Sequence, residues 1–190
     1  MGKAQQYFDA MTTSDLMTAE ELLRKQPPHK RTELVSGRMI VREPAGHRHG
    51  RIAADLAYRL QHYVKAESLG VVYAAETGFV LSRNPDTVRA PDVAFIRRER
   101  LPEPEPTGYA ELAPDLVVEV LSPVDRPGEV LAKVDDWLSA GTRLAWVVDP
   151  SRRQIRVYRR DGSRRTVGDS DLLNGEDVVP GFRCPADSIF

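Results

Sequence analysis

Three side chains in this 190-residue sequence fall where ordinary packing would not put them. Glu119 lies inside Asp115-Leu116-Val117-Val118-Glu119-Val120-Leu121, the most apolar run of the chain. An isolated carboxylate there would cost several kcal/mol, so it must be paired, protonated or bound to a cation. Asp92 follows Pro91 and opens a second apolar run, Asp92-Val93-Ala94-Phe95-Ile96. Carboxylates converging from neighbouring strands without enough local cations make a hard-oxygen site suited to Mg²⁺ or Mn²⁺. Such an ion offsets the like-charge repulsion that otherwise raises one carboxyl pKa. Lys133 supplies a third element: Lys3, Lys25, Lys30, Lys65 and Lys133 are the only lysines among 27 basic residues, so arginine is the usual cation of this chain. A compact ammonium beside water or phosphate is a different tool from a guanidinium fork. Each residue also has a plainer reading. Glu119 could pair with an arginine, Pro-Asp is a common strand-entry dipeptide, and helix lysines are usually solvated.

The elements that would position these groups follow from pattern. The run around Glu119 reads as a strand buried on both faces, with Glu119 on the side of Val117 and Leu121. Ser122-Pro123 breaks it, and residues 129–140 form a helix closed by Gly141, with Leu131 and Trp137 available to face the sheet. Leu144-Ala145-Trp146-Val147-Val148 is the next buried strand, so strand, helix and strand form a parallel pair. Upstream, Thr18 and Glu21 make a capping box for a short helix. Residues 31–35 and 38–41 form a hairpin around Ser36-Gly37. Residues 49–66 repeat apolar positions at helical spacing, with Gly70 as the stop. Strands at 71–75, 78–81 and 92–96 follow, then a proline-rich loop at 101–108. Residues 154–158 alternate as an edge strand would.

Pro91-Asp92 followed by Glu119 in an apolar strand resembles the Pro-Asp…(Asp/Glu)-x-Lys signature of the restriction-endonuclease-like nuclease superfamily. More closely, the chain from about Thr18 to Ile189 is similar to the Uma-two family. The segments that carry the likeness begin with Glu33-Leu34-Val35-Ser36-Gly37, His49 at a helix start, and Arg89-Ala90-Pro91-Asp92-Val93-Ala94-Phe95. They continue through Leu116 to Pro123, then Lys133, Gly141 and Trp146-Val147-Val148-Asp149-Pro150. Leu121 stands where the superfamily motif has lysine; in the resembling family that lysine has moved to the following helix, where Lys133 lies. Trp137 replaces the family's usual Tyr, a change expected to affect packing more than chemistry. The resemblance implies an α/β fold with a restriction-endonuclease-like mixed central β-sheet flanked by helices, plus an extra N-terminal helix and hairpin. It also implies a Mg²⁺-dependent endonuclease acting on DNA, with Mn²⁺ able to substitute and a homodimer as the expected assembly. Asp92, Glu119 and the Val120 carbonyl would hold the metal, Lys133 would assist the attacking water, and Glu33 would hold Lys133 or a second metal. From the residues alone, Glu33 is equally an exposed hairpin position.

Composition bounds the rest. A net charge of −1 disfavours binding nucleic acid through bulk basicity, and the single Cys184 excludes an internal disulfide framework. No stretch approaches a membrane span, and the N-terminal residues lack a signal-peptide core, so a cytoplasmic protein is expected. A tail at residues 1–14 and one domain at 15–190 are the expected organisation. His47 and His49 flank Arg48 without an obvious third zinc ligand; His49 could line the cleft. Residues 152–165 hold seven arginines and one acid, either a phosphate-contacting hairpin or a charged edge that resists aggregation. Two alternatives to a nuclease stay open: a non-catalytic nucleic-acid-binding or interaction protein on the same scaffold, and a metal hydrolase of small phosphodiesters.

Overall fold

The computed structural model describes residues 16–25, 27 and 30–190. The tail expected at residues 1–14 lies outside them. Helices are α1 (Ala19–Lys25), α2 (His47–Ala66) and α3 (Pro127–Ala140). Strands are β1 (Arg31–Val35), β2 (Arg38–Arg42), β3 (Gly70–Ala74), β4 (Phe79–Ser82), β5 (Thr87–Arg89), β6 (Val93–Arg97), β7 (Leu116–Val120), β8 (Leu144–Asp149), β9 (Gln154–Arg159), β10 (Arg164–Val167), β11 (Leu172–Asn174) and β12 (Arg183–Pro185).

Six strands form the central sheet in the order β10-β9-β8-β7-β6-β3. Only β7 and β8 run parallel, joined through α3 as the strand–helix–strand pattern predicts. Both faces of these strands are covered, which is why their sequences are apolar throughout rather than alternating. On one face, Ile52, Leu56 and Leu60 of α2 pack on Leu116, Val118 and Trp146. On the other, Val134 and Trp137 of α3 pack on Val117, Ala145 and Val147. Full burial of each such side chain is worth roughly 1.5–3 kcal/mol.

The expected N-terminal helix and hairpin are present. The Thr18 hydroxyl accepts the Glu21 N–H at 3.2 Å and the Glu21 carboxylate accepts the Thr18 N–H at 3.0 Å. The hairpin turns through Ser36 and Gly37, both at positive φ (48° and 74°). It does not stand alone, because β1 also pairs with β5 in a second sheet ordered β2-β1-β5-β4. β5 is too short for the hydrophobic pattern to mark. Phe79 of this sheet meets Trp137 edge-on, ring centroids 6.3 Å apart, so the second sheet and α3 share a boundary.

Four local expectations are corrected. α2 begins at His47, which moves His49 into its first turn. It ends at Ala66 as expected, but Glu67 is its C-cap, and Gly70, expected as the stop, opens β3. β9 is not an edge strand, because β10 pairs outside it. On α3 it is Val130 and Val134, not Leu131, that join Trp137 against the sheet; Leu131 is 41% exposed. Among the described residues no helix is long and apolar enough to cross a membrane.

Candidate active site

Glu33, the third residue of β1, projects from the second sheet toward α3 and is buried. Asp92 sits just before β6, where its own N–H donates to the Val118 carbonyl at 3.0 Å. Glu119 projects from β7 on the α3 side, as strand alternation requires. Lys133 lies one turn before Trp137 on the inward face of α3, so helical spacing delivers both to Glu119. The four residues singled out in the sequence thus meet in one place.

Lys133 Nζ lies 2.8 Å from Glu119 Oε2, 2.9 Å from Glu33 Oε1 and 3.1 Å from the Ala90 carbonyl oxygen. The ammonium donates to the Ala90 carbonyl and to Glu119, and it is ion-paired with Glu33. Glu119 Oε1 accepts the Trp137 indole N–H at 2.9 Å. Trp137 therefore acts on the site's polarity as well as its packing, contrary to the expectation from sequence. Glu33 also accepts from Arg89 Nη1 at 2.9 Å and from the Ala90 N–H at 3.0 Å. Arg89 in turn bonds Asp136 of α3 at 2.6 Å through Nη2. Asp92 Oδ2 accepts the Val120 N–H at 2.7 Å and faces His49 Nε2 at 3.1 Å, while Oδ1 faces Arg31 Nη2 at 3.1 Å.

Arg31, Arg89 and Asp136 were given no role by sequence reasoning. Nothing about an arginine at the start of a hairpin distinguishes it in an arginine-rich chain. The second sheet alone brings Arg31 and Arg89 to the acids. His49 does line the cleft, and its Nδ1 is buried without a partner among the described residues.

Electrostatics separate the acids. Burial would raise the Glu33 carboxyl, but Lys133 and Arg89 overcome that and hold it at about 2. For Glu119 burial wins: desolvation, reinforced by repulsion from Asp92 and Glu33, outweighs Lys133 and pushes the carboxyl up to about 7. Burial also opposes ionisation of Asp92, yet His49 and Lys133 keep its pKa lowered. Lys133, though desolvated, is raised by Glu119 and Glu33 and stays charged. Among the described residues, Glu33, Asp92, Glu119 and Asp136 form ion pairs with Arg31, Arg89 and Lys133, and Asp92 also faces His49. Glu119, desolvated by burial and repelled by Asp92 and Glu33, is the acid whose charged form is least compensated.

This fits a divalent ion of the hard-oxygen kind. Among the described residues no group of three or more His, Cys, Asp or Glu is arranged to hold a metal. An ion here would rest on two carboxylates, with backbone and water oxygens completing the shell, as Mg²⁺ prefers. Asp92, Glu119, Val120 and Lys133 line one cleft of about 620 Å³. It adjoins a cavity of about 720 Å³ floored by Ala53, Ala54 and Ala57 of α2, and Arg31, His49 and Asp92 border both.

Three of the seven arginines in the arginine-rich segment hold structural contacts. Arg153 pairs with Asp169 at 2.7 Å, Arg159 with Glu176, and Arg165 donates to the Leu172 carbonyl at 3.4 Å. Strand order places β9 and β10 beyond β8, where Arg156 of β9 pairs with Val147, the β8 partner of Glu119.

A mixed sheet with the parallel pair around α3, acids at the end of β7 and a second sheet closing the cleft define a restriction-endonuclease-like α/β protein. A structure of a protein from Anabaena variabilis, described as "a putative nuclease belonging to DUF820", shares this fold with a TM-score of 0.79. The match has 21% identity and covers 92% of this chain and 97% of that one. Residues 19–187 match the model of the Uma2 family, described as "Putative restriction endonuclease", and the chain belongs to that family. No curated protein matches it.

Proposed function

We propose that this protein is a Mg²⁺-dependent endonuclease that hydrolyses DNA phosphodiester bonds, with Mn²⁺ able to substitute. The observation that carries this reading is one buried ammonium shared by Glu33 and Glu119, with Asp92 on the same cleft wall. Asp92, Glu119 and the Val120 carbonyl would hold the ion. When bound, it supplies a more acidic water and neutralises charge on the phosphate oxygens. Lys133 Nζ donates to the Ala90 carbonyl and to Glu119 and is ion-paired with Glu33. Lys133, held against Glu33 and Glu119, would orient the attacking water and meet the charge that develops on the phosphate. Glu33 stays ionised and keeps the ammonium aimed into the cleft, while the Trp137 N–H fixes the other oxygen of Glu119. A homodimer would place a second site on the complementary strand.

Purified protein is expected to nick or cut plasmid DNA with Mg²⁺ or Mn²⁺ and to lose that activity in Glu119→Gln and Asp92→Asn, both still folded by circular dichroism. Undiminished cutting by either variant would refute the assignment. The non-catalytic reading draws on the Arg31–Asp92 and Arg89–Glu33 pairs, which partly satisfy the acids without metal. Calorimetry with Mn²⁺ separates the two, because that reading requires no divalent uptake.

A further inference from the structure

Of the permanent cations on the acid cluster, Arg31 is held most loosely. Arg89 is 5% exposed and Lys133 17%, and each bridges two carboxylates within 2.9 Å. The Arg31 side chain is 24% exposed, and its carboxylate contacts are Asp92 Oδ1 at 3.1 Å and, at 3.9 Å, the exposed Glu76. It also stands where the cleft and the adjoining cavity meet. The two oxygens of Asp92 differ accordingly. Oδ2 is fixed by a backbone N–H and by His49, whereas Oδ1 faces the guanidinium. Oδ1 is thus the oxygen that can change partners without disturbing the β6–β7 junction.

Resting on the nuclease reading above, we infer that Arg31 is an exchangeable counter-cation: it neutralises Asp92 Oδ1 in the metal-free protein and turns to a DNA phosphate once a divalent ion takes that oxygen. A guanidinium has five N–H donors in a planar fork, and a single contact to Asp92 leaves most of them for phosphate oxygens. Two cations cannot share Oδ1 without mutual repulsion, so metal entry itself drives the side chain outward. Because Arg31 borders both the cleft and the adjoining cavity, the released fork would meet a phosphate entering either. Arg31 then couples metal loading to substrate capture: the protein without metal presents a paired arginine, and the loaded protein presents a free one.

The test compares wild type with Arg31→Gln and Arg31→Lys in two measurements. Mn²⁺ affinity is read by calorimetry without DNA. Binding of a fluorescent duplex oligonucleotide is read by anisotropy with Ca²⁺ in place of Mg²⁺. Removing a unit charge a few ångströms from the ion makes Mn²⁺ binding about tenfold tighter in Arg31→Gln. DNA binding by the same variant is expected to weaken by about tenfold, as loss of a charged bidentate contact predicts. Arg31→Lys keeps the wild-type Mn²⁺ affinity but not the DNA affinity, because it retains the charge and loses the fork. Equal or weaker Mn²⁺ binding by Arg31→Gln, or unchanged DNA binding, overturns the role of Arg31 and leaves the nuclease reading standing. A wild type that takes up no Mn²⁺ overturns both.

Discussion

Glu33 and Glu119 are both buried and both touch Lys133, yet their carboxyls move in opposite directions. Glu33 has Arg89 and a backbone N–H in addition to the lysine, whereas Glu119 has only an indole N–H and sits between two other acids. The consequences for stability have opposite signs. Glu33, lowered to about 2 from 4.5, contributes stability present above pH 4.5 that is lost as pH falls toward 2. Glu119, raised to about 7 from 4.5, contributes stability that is full below pH 4.5 and is lost as pH rises through 7. On the proposed reading, a divalent ion would compete with the proton on Glu119. Scanning calorimetry should therefore show a larger rise in Tm on adding Mn²⁺ at pH 8 than at pH 5. In Glu119→Gln that pH dependence should vanish. An equal increment at both pH values in the wild-type protein would place the bound ion elsewhere.

Among the elements, α3 carries the most weight because one face of a single helix must both fill the core and present charge. Val134 is 1% exposed against the sheet, and Leu131 is 41% exposed. Val134→Ala removes two buried methyl-sized groups and should destabilise by about 2 kcal/mol. Leu131→Lys should shift stability by no more than about 0.5 kcal/mol. Urea titration of the two variants checks the orientation of the helix, and a reversal of the two effects would mean that α3 is rotated. The sequence placed the end of this helix and its Gly141 terminator correctly, though the helix begins at Pro127 rather than Glu129, and Gly141 is at φ 117° as a left-handed cap should be. It misassigned Leu131 because apolar type was taken as a guide to facing, while the inward stripe is set by the spacing of Val130, Lys133, Val134 and Trp137. A lysine on that stripe was the unusual sign.

At the scale of the whole molecule, charge bridges the two sheets. Lys133 and Asp136 of α3 hold Glu33 and Arg89 of the second sheet, while Glu119 of the central sheet shares the same lysine. Breaking such a buried network by removing one partner costs more than the net worth of the pair, because the charges left behind stay buried. Lys133→Met should lower the unfolding free energy by about 3–5 kcal/mol. Adding Glu33→Gln should recover part of that loss. A double-mutant cycle by chemical denaturation measures the coupling, and additive losses would mean that Lys133 does not tie the sheets together.

How much could be read in advance follows from range. The buried strands β6, β7 and β8, the helix between the last two, the capping box and the Ser36-Gly37 turn are written in periodicity and local backbone chemistry, which act over a few residues. Asp92, Glu119 and Lys133 stood out because each conflicts with its local setting, and a conflict of that kind is visible in one dimension. Arg31, Arg89, His49 and the indole of Trp137 conflict with nothing nearby. Their meaning arises where residues far apart in the chain are brought within hydrogen-bond distance, and the short strand β5, with no pattern of its own, helps bring them there. The sequence by itself determined that acids would be buried in this core and that a lysine would follow them. Only the tertiary structure decided which cations answer those acids and which acid is left short, because burial and Coulomb energy depend on distances through space rather than along the chain.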